Sequence, residues 1–135
     1  MRIYCTERFK SEYHLLIKNN SYKSLTEALI SAFFRGTPDQ IMHGVVIIGT
    51  GDKKVIKKRL SGSGGFRTYF YAYISGETVY LSYVYPKTGS LGKQSLSPAF
   101  EKILINETTE AIQNNNLHLI TESSGRLTFS KPGKS

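Results

Sequence analysis

The chain has 135 residues, 39% of them hydrophobic and 21% charged, and its 18 Lys and Arg against 10 Asp and Glu give a formal charge of +8. That length and composition suit one globular domain with a single core, and no run of about 18 apolar residues offers a membrane span. One cysteine, Cys5, excludes an internal disulfide and a thiolate zinc cluster, while the basic balance points to an anionic partner, most often nucleic acid.

The first residues, Met1 to Arg8, lack the apolar stretch of a secretory signal and predict a cytoplasmic protein. Residues 2–4 read as a short strand, with Cys5 a small buried side chain rather than a nucleophile. From Thr6 as N-cap, the apolar residues Phe9, Tyr13, Leu16 and Ile17 recur at helical spacing. Ser24 followed by Glu27 has the capping-box pattern, and Leu25, Ala28, Leu29, Ala32 and Phe33 continue a second helix that Gly36 stops. The two helices read as a hairpin. Val45-Val46-Ile47-Ile48 is strand-like, yet glycines at 44, 49 and 51 predict a loop with a short extended piece.

Beyond residue 54 the period becomes two. Val55–Leu60, Phe66–Ile74 and Thr78–Tyr85 read as three strands, joined through residues 61–65 and 75–77. Alternation sets Lys57 and Arg59 on one face of the first, and Arg67, Tyr69 and Tyr71 on one face of the second. Ser97-Pro98 opens a helix over 98–113 with Phe100, Ile103, Leu104 and Ile112 as its apolar side. Residues 117–120 and 126–129 read as a small hairpin about Ser123-Ser124-Gly125, and 131–135 as a frayed end. The organisation is a main domain over 1–113 with 114–135 as an extension of it.

The charge is local. Residues 51–93 hold eight cations (Lys53, Lys54, Lys57, Lys58, Arg59, Arg67, Lys87 and Lys93) against Asp52 and Glu77, a net +6 of the total +8. Six of the nine tyrosines, Tyr69, Tyr71, Tyr73, Tyr80, Tyr83 and Tyr85, fall in the same stretch, either as strand residues with a polar rim or as rings for unpaired bases. Motifs of other chemistries are incomplete. Gly49-Thr50-Gly51-Asp52-Lys53-Lys54 lacks the ending of a phosphate loop, and Ser90-Leu91-Gly92-Lys93 beside Lys87-Thr88-Gly89 has the wrong order for a penicillin-recognising enzyme. His14, His43 and His118 lack metal-ligand spacing, so neither metal nor organic cofactor is predicted.

Four cations suffice for one reaction. RNA carries its own nucleophile in the 2′-hydroxyl, so cleavage by transesterification needs a base, cations for the crowded phosphorane and an acid for the 5′-oxygen. Lys57 lies among positive neighbours that favour its neutral form, Arg59 and Arg67 keep their protons and suit charge stabilisation, and Lys87 is placed to give a proton. The other reading of the same residues is phosphate contact without catalysis, as in a nucleic-acid-binding regulator.

The order Lys57-Lys58-Arg59-Leu60, Gly64-Gly65-Phe66-Arg67, then Val84-Tyr85-Pro86-Lys87 and a Ser97-led helix, following a helix pair, resembles the RelE/HigB-type toxins of bacterial toxin–antitoxin modules over roughly residues 6–113. The resemblance implies an α+β fold with two helices on one face of a twisted antiparallel sheet and a basic, catalytic concave face opposite. It implies an mRNA interferase acting in the ribosomal A site, with mRNA, the ribosome and a cognate antitoxin protein as partners; the non-catalytic alternative is a nucleic-acid-binding regulator or an inactivated toxin with the same fold. Position by position it matches Lys57 and Arg59 to the family's basic strand residues, Arg67 to its phosphate-stabilising arginine and Lys87 to the basic residue after the last central strand, which makes these four the candidate catalytic residues; the surrounding charge and aromatics add Lys53, Lys54, Lys58, Tyr69, Tyr85 and Lys93 as candidate RNA contacts. The chain departs from the pattern in a shorter turn at 61–65 and in having Phe100 where some members carry a tyrosine, for which Tyr85 is the candidate substitute.

Overall fold

In the computed structural model, which describes residues 1–50, 53–60, 65–73, 76–93 and 95–131, strand β1 (Arg2–Cys5) leads into helix α1 (Glu7–Ile17). Thr6 caps that helix by accepting the Phe9 amide, and Phe9, Tyr13 and Leu16 make its buried stripe. Helix α2 (Leu25–Phe33) buries Leu25, Ala28, Leu29 and Phe33.

Its start corrects the predicted capping box. A 3-10 turn at Asn20–Tyr22 runs almost directly into α2, leaving Ser24 in helical backbone (φ −74°, ψ −5°) with no cap bond and its hydroxyl buried without a partner among the described residues. The box forms instead at a one-turn helix, α3 (Pro38–Ile41), where the Thr37 hydroxyl accepts from the Gln40 amide and the Gln40 side chain from the Thr37 amide.

Residues 45–50 are strand β2 (Val45–Thr50), where a loop with a short extended piece is predicted. Pairing with β3 (Lys53–Leu60) supplies the ladder bonds that local glycine content does not anticipate, and a register shift between Val46 and Ile48 together with Gly49 at φ +97° absorbs the irregularity. Strands β3, β4 (Phe66–Tyr73) and β5 (Thr78–Pro86) form an antiparallel meander. The predicted Gly-rich turn at 61–64, Ile74-Ser75 and the tail beyond 131 lie outside the described residues. Strand β1 joins β5 in parallel, and β6 (His118–Ser123) and β7 (Arg126–Ser130) pair antiparallel to extend the sheet beyond β1, in the order β2-β3-β4-β5-β1-β6-β7. The chain is thus an α+β fold on a seven-stranded sheet. Among the described residues no helix is long and apolar enough to cross a membrane.

Alternation along β4 decides what each face carries. Phe66, Phe70 and Ala72 join Ile56 and Leu60 of β3 in the main core with Phe9, Leu16, Leu29 and Phe33 of the helices. The opposite alternates feed a second core, in which Tyr69, Tyr83 and Tyr85 pack under Leu104 of helix α4 (Pro98–Gln113). Helix α4 therefore occupies part of the very face that the resemblance assigns to a basic concave surface.

Candidate functional site

Strand geometry gathers the four predicted catalytic cations. Lys57 and Arg59 are alternate residues of β3, Arg67 of β4 stands directly opposite Arg59 in the ladder, and Tyr85 of β5 lies opposite Arg67. Lys87 follows β5 and is tied to the start of β4 by its amide, which donates to the Gly65 carbonyl at 3.2 Å. Gly65 itself takes φ +74°, a conformation that favours glycine at this junction.

The side chains share one field. Lys87 binds its proton less tightly than an ordinary lysine, first through Arg59, then Arg67, with smaller effects of desolvation and Lys57. Three separate elements thus bring their cations within electrostatic reach of one another. Lys93 contrasts with Lys87: its ammonium donates to the Tyr83 hydroxyl at 3.0 Å, and that bond raises its proton affinity. With the lysines 13C-methylated and followed by NMR, Lys87 should titrate below Lys93, and 0.5 M salt should raise Lys87 by screening its neighbours. Coincident titration of the two would mean that the cluster does not exist in solution.

Beneath the cations lies a fixed support. The Lys57 ammonium stands 5.9 Å over the Tyr69 ring, and the Tyr69 hydroxyl donates to the Glu101 carboxylate at 2.7 Å. Burial and that bond push the Tyr69 pKa far above its usual range, so the phenol stays neutral. The nearby Tyr85 ring lies 6.3 Å from that of Tyr69 and adds to the same upward push.

Several of the expected RNA contacts are placed elsewhere. Tyr69 and Tyr85 are only 2% and 1% exposed, so neither offers a ring to a base, and alternation along a strand could not reveal that α4 covers them. Lys58 points to the other face of the sheet, where its ammonium donates to the Gln40 and Ile41 carbonyls at 2.8 Å each and lies over the Phe33 ring. Burial there lowers its proton affinity, and its role is to hold β3 to the end of α3. Lys54, opposite Ala72, shares that alternate. Lys53 does lie on the cation face, 5.3 Å over the Tyr73 ring, and Lys93 sits over Tyr83 and Phe100 at the start of α4.

A surface cavity of about 500 Å³ between α1 and α4 has the wrong sign for phosphate, being lined by Glu7, Glu12, Glu107 and Glu110 around Arg8. Arg8 there is committed to both oxygens of Glu107, at 2.5 and 2.8 Å. Buried His118 bonds Glu7 at 2.5 Å, and Cys5, its thiol pushed up to about 12 chiefly by burial, is inert as a nucleophile. The cation cluster is therefore the chemically distinctive surface. Neither family models, curated proteins nor solved structures match this chain.

Proposed function

We propose that this protein is the toxin of a toxin–antitoxin module, a cytoplasmic mRNA endoribonuclease that cleaves mRNA in the ribosomal A site by transesterification. The observation that carries the proposal is the strand register that sets Arg59 opposite Arg67, with Lys57 on the same alternate of β3 and Lys87 tied beside them through Gly65, the same four positions that the RelE/HigB resemblance selects. A phosphodiester brought there meets guanidinium groups suited to the charge that develops on the non-bridging oxygens. Lys57 takes the 2′-hydroxyl proton as that oxygen attacks phosphorus. The bond from phosphorus to the 5′-oxygen breaks, and Lys87, which surrenders a proton more readily than an ordinary lysine, protonates the leaving oxygen. The products are a 2′,3′-cyclic phosphate and a 5′-hydroxyl.

The cover that α4 places over Tyr69 and Tyr85 favours one other reading, a regulator that grips phosphates without cutting. Incubating the purified protein with translating ribosomes and a defined mRNA separates the two. Primer-extension stops together with cyclic-phosphate ends are expected. Intact mRNA alongside salt-sensitive RNA binding would establish the regulator and overturn the nuclease.

A further inference from the structure

We propose that the tyrosine-lined trough under the C-terminal half of α4 binds an unpaired nucleobase of the RNA strand whose phosphates the cation cluster holds. The proposal rests on the RNA-binding reading above and supplies the base contacts that Tyr69 and Tyr85, being buried, cannot.

Ladder register sets Tyr71 of β4 and Tyr4 of β1 on either side of Tyr80 of β5, all on the face that carries Lys57 and Arg67. None of these rings is fully buried, nor is that of Tyr73. Two adjoining cavities of about 330 and 340 Å³ meet at Tyr80 and Ile112, the first lined by Tyr71 and Tyr73 and the second by Tyr4. The rings are already arranged for stacking: Tyr4 and Tyr80 lie 5.7 Å apart at 19°, and Tyr71 meets Tyr80 edge-on at 6.3 Å. Among the described residues nothing hydrogen-bonds the hydroxyls of these four tyrosines, which leaves them for a ligand.

Charge argues for a base joined to a phosphate chain. Lys53 borders one cavity and Arg2 the other, and among the described residues no carboxylate lines either. Lys53 also begins the alternate row that continues through Lys57 to Arg59, six residues or about 20 Å along β3, a span of several nucleotides at 3.4 Å or more each. The trough lies at the C-terminal end of α4, whose dipole repels phosphate, while Gln113 supplies an amide for base edges and the Thr109 hydroxyl, which donates to the Ile105 carbonyl at 2.9 Å, supplies an acceptor. Rings and neutral polar groups at the helix end, with cations outside it, fit a base rather than a phosphate.

The test compares binding of a labelled eight-nucleotide RNA with binding of an abasic ribose-phosphate oligomer of equal length and charge. The base-bearing strand should bind at least about tenfold more tightly, the effect of stacking even one base. Tyr71→Leu with Tyr80→Leu should bring the ratio near one while leaving affinity for the abasic strand unchanged, whereas Arg67→Ala should weaken both. Should the double variant not fold, NMR of the unaltered protein decides: ring-proton shifts of Tyr71, Tyr73 and Tyr80 must respond to the RNA and not to the abasic strand. A ratio near one in the unaltered protein, in the presence of mRNA cleavage, overturns the trough and leaves the nuclease standing. If neither oligomer binds, the RNA reading falls and the trough with it. Equal ring shifts with an octaglutamate peptide would assign the trough to an acidic protein partner and overturn the base site.

Discussion

Arg67→Ala should lower the rate of mRNA cleavage by about 10²–10³-fold, the usual cost of removing one preorganised donor from a developing oxyanion. Arg67 is the residue best placed for that loss, lying opposite Arg59 on one side and Tyr85 on the other in the middle of the three-strand meander. Only partly buried, it can be shortened without opening the main core, so the melting temperature should hardly move. The substitution has a second, signed consequence. Arg67 is one of the charges that lower the proton affinity of Lys87, so removing it lets Lys87 hold its proton to higher pH. If protonated Lys87 is the acid, the residual activity should keep its alkaline limb to a higher pH than the unaltered enzyme. Single-turnover primer extension across a pH series reads both effects. A rate unchanged by the substitution would remove Arg67 from the chemistry, and a lower rate with an unmoved limb would remove Lys87 from the acid's role.

Why the cluster was legible in the sequence, while its surroundings were not, follows from the range of the forces involved. Lys57, Arg59 and Arg67 sit on strands whose period of two is written locally, and the antiparallel pairing of β3 with β4 converts that period into a shared face. The same rule placed Tyr69 beside them correctly, but exposure is a tertiary property. Whether a strand face meets water depends on where α4 returns, and the apolar side of α4, marked by Phe100 and Leu104, does not name its target. Lys58 shows the converse: a run of Lys57-Lys58-Arg59 looks like one basic patch, although adjacent strand residues must point to opposite faces.

The two corrections in the first half of the chain have the same origin. Ser24 and Glu27 satisfy a capping pattern, but the bond requires extended backbone at the cap, and the 3-10 turn through Tyr22 delivers the chain already helical. Tyr22 is held there by distant partners: its hydroxyl donates to the Thr88 carbonyl at 3.1 Å and accepts the Leu91 amide at 2.9 Å. At β2, a weak local signal at Val45–Ile48 becomes a strand because β3 offers a ladder, and it leaves Val45, Val46 and Ile48 exposed at the sheet edge. Contacts far apart in sequence override the local pattern at Ser24, whereas at β2 the ladder with the next strand in the chain does so.

Phe70→Ala should cost about 3–5 kcal/mol of stability, measured by urea denaturation, because a buried phenyl ring is lost and the strands around it close only partly on the space. Phe70 is fully buried at the centre of β4, between Ile56 of β3 and Leu81 of β5, and meets Phe33 of α2 edge-on at 5.3 Å and 84°. It is therefore one of the contacts, with Phe66 and Ala72, through which the helix layer meets the strand that carries the site. For a domain whose whole stability is of order 5–15 kcal/mol, that loss removes a large part of the total. The same strand offers an internal control one residue away. Tyr71 points to the opposite face and is only partly buried, so Tyr71→Leu, which keeps most of the apolar contact, should cost less than about 1.5 kcal/mol. Equal losses at the two positions would contradict the assignment of faces along β4, and with it the grouping of Arg67 with Lys57 and Arg59. The stability of two adjacent side chains thus tests the alternation on which the cation cluster and the tyrosine trough both depend.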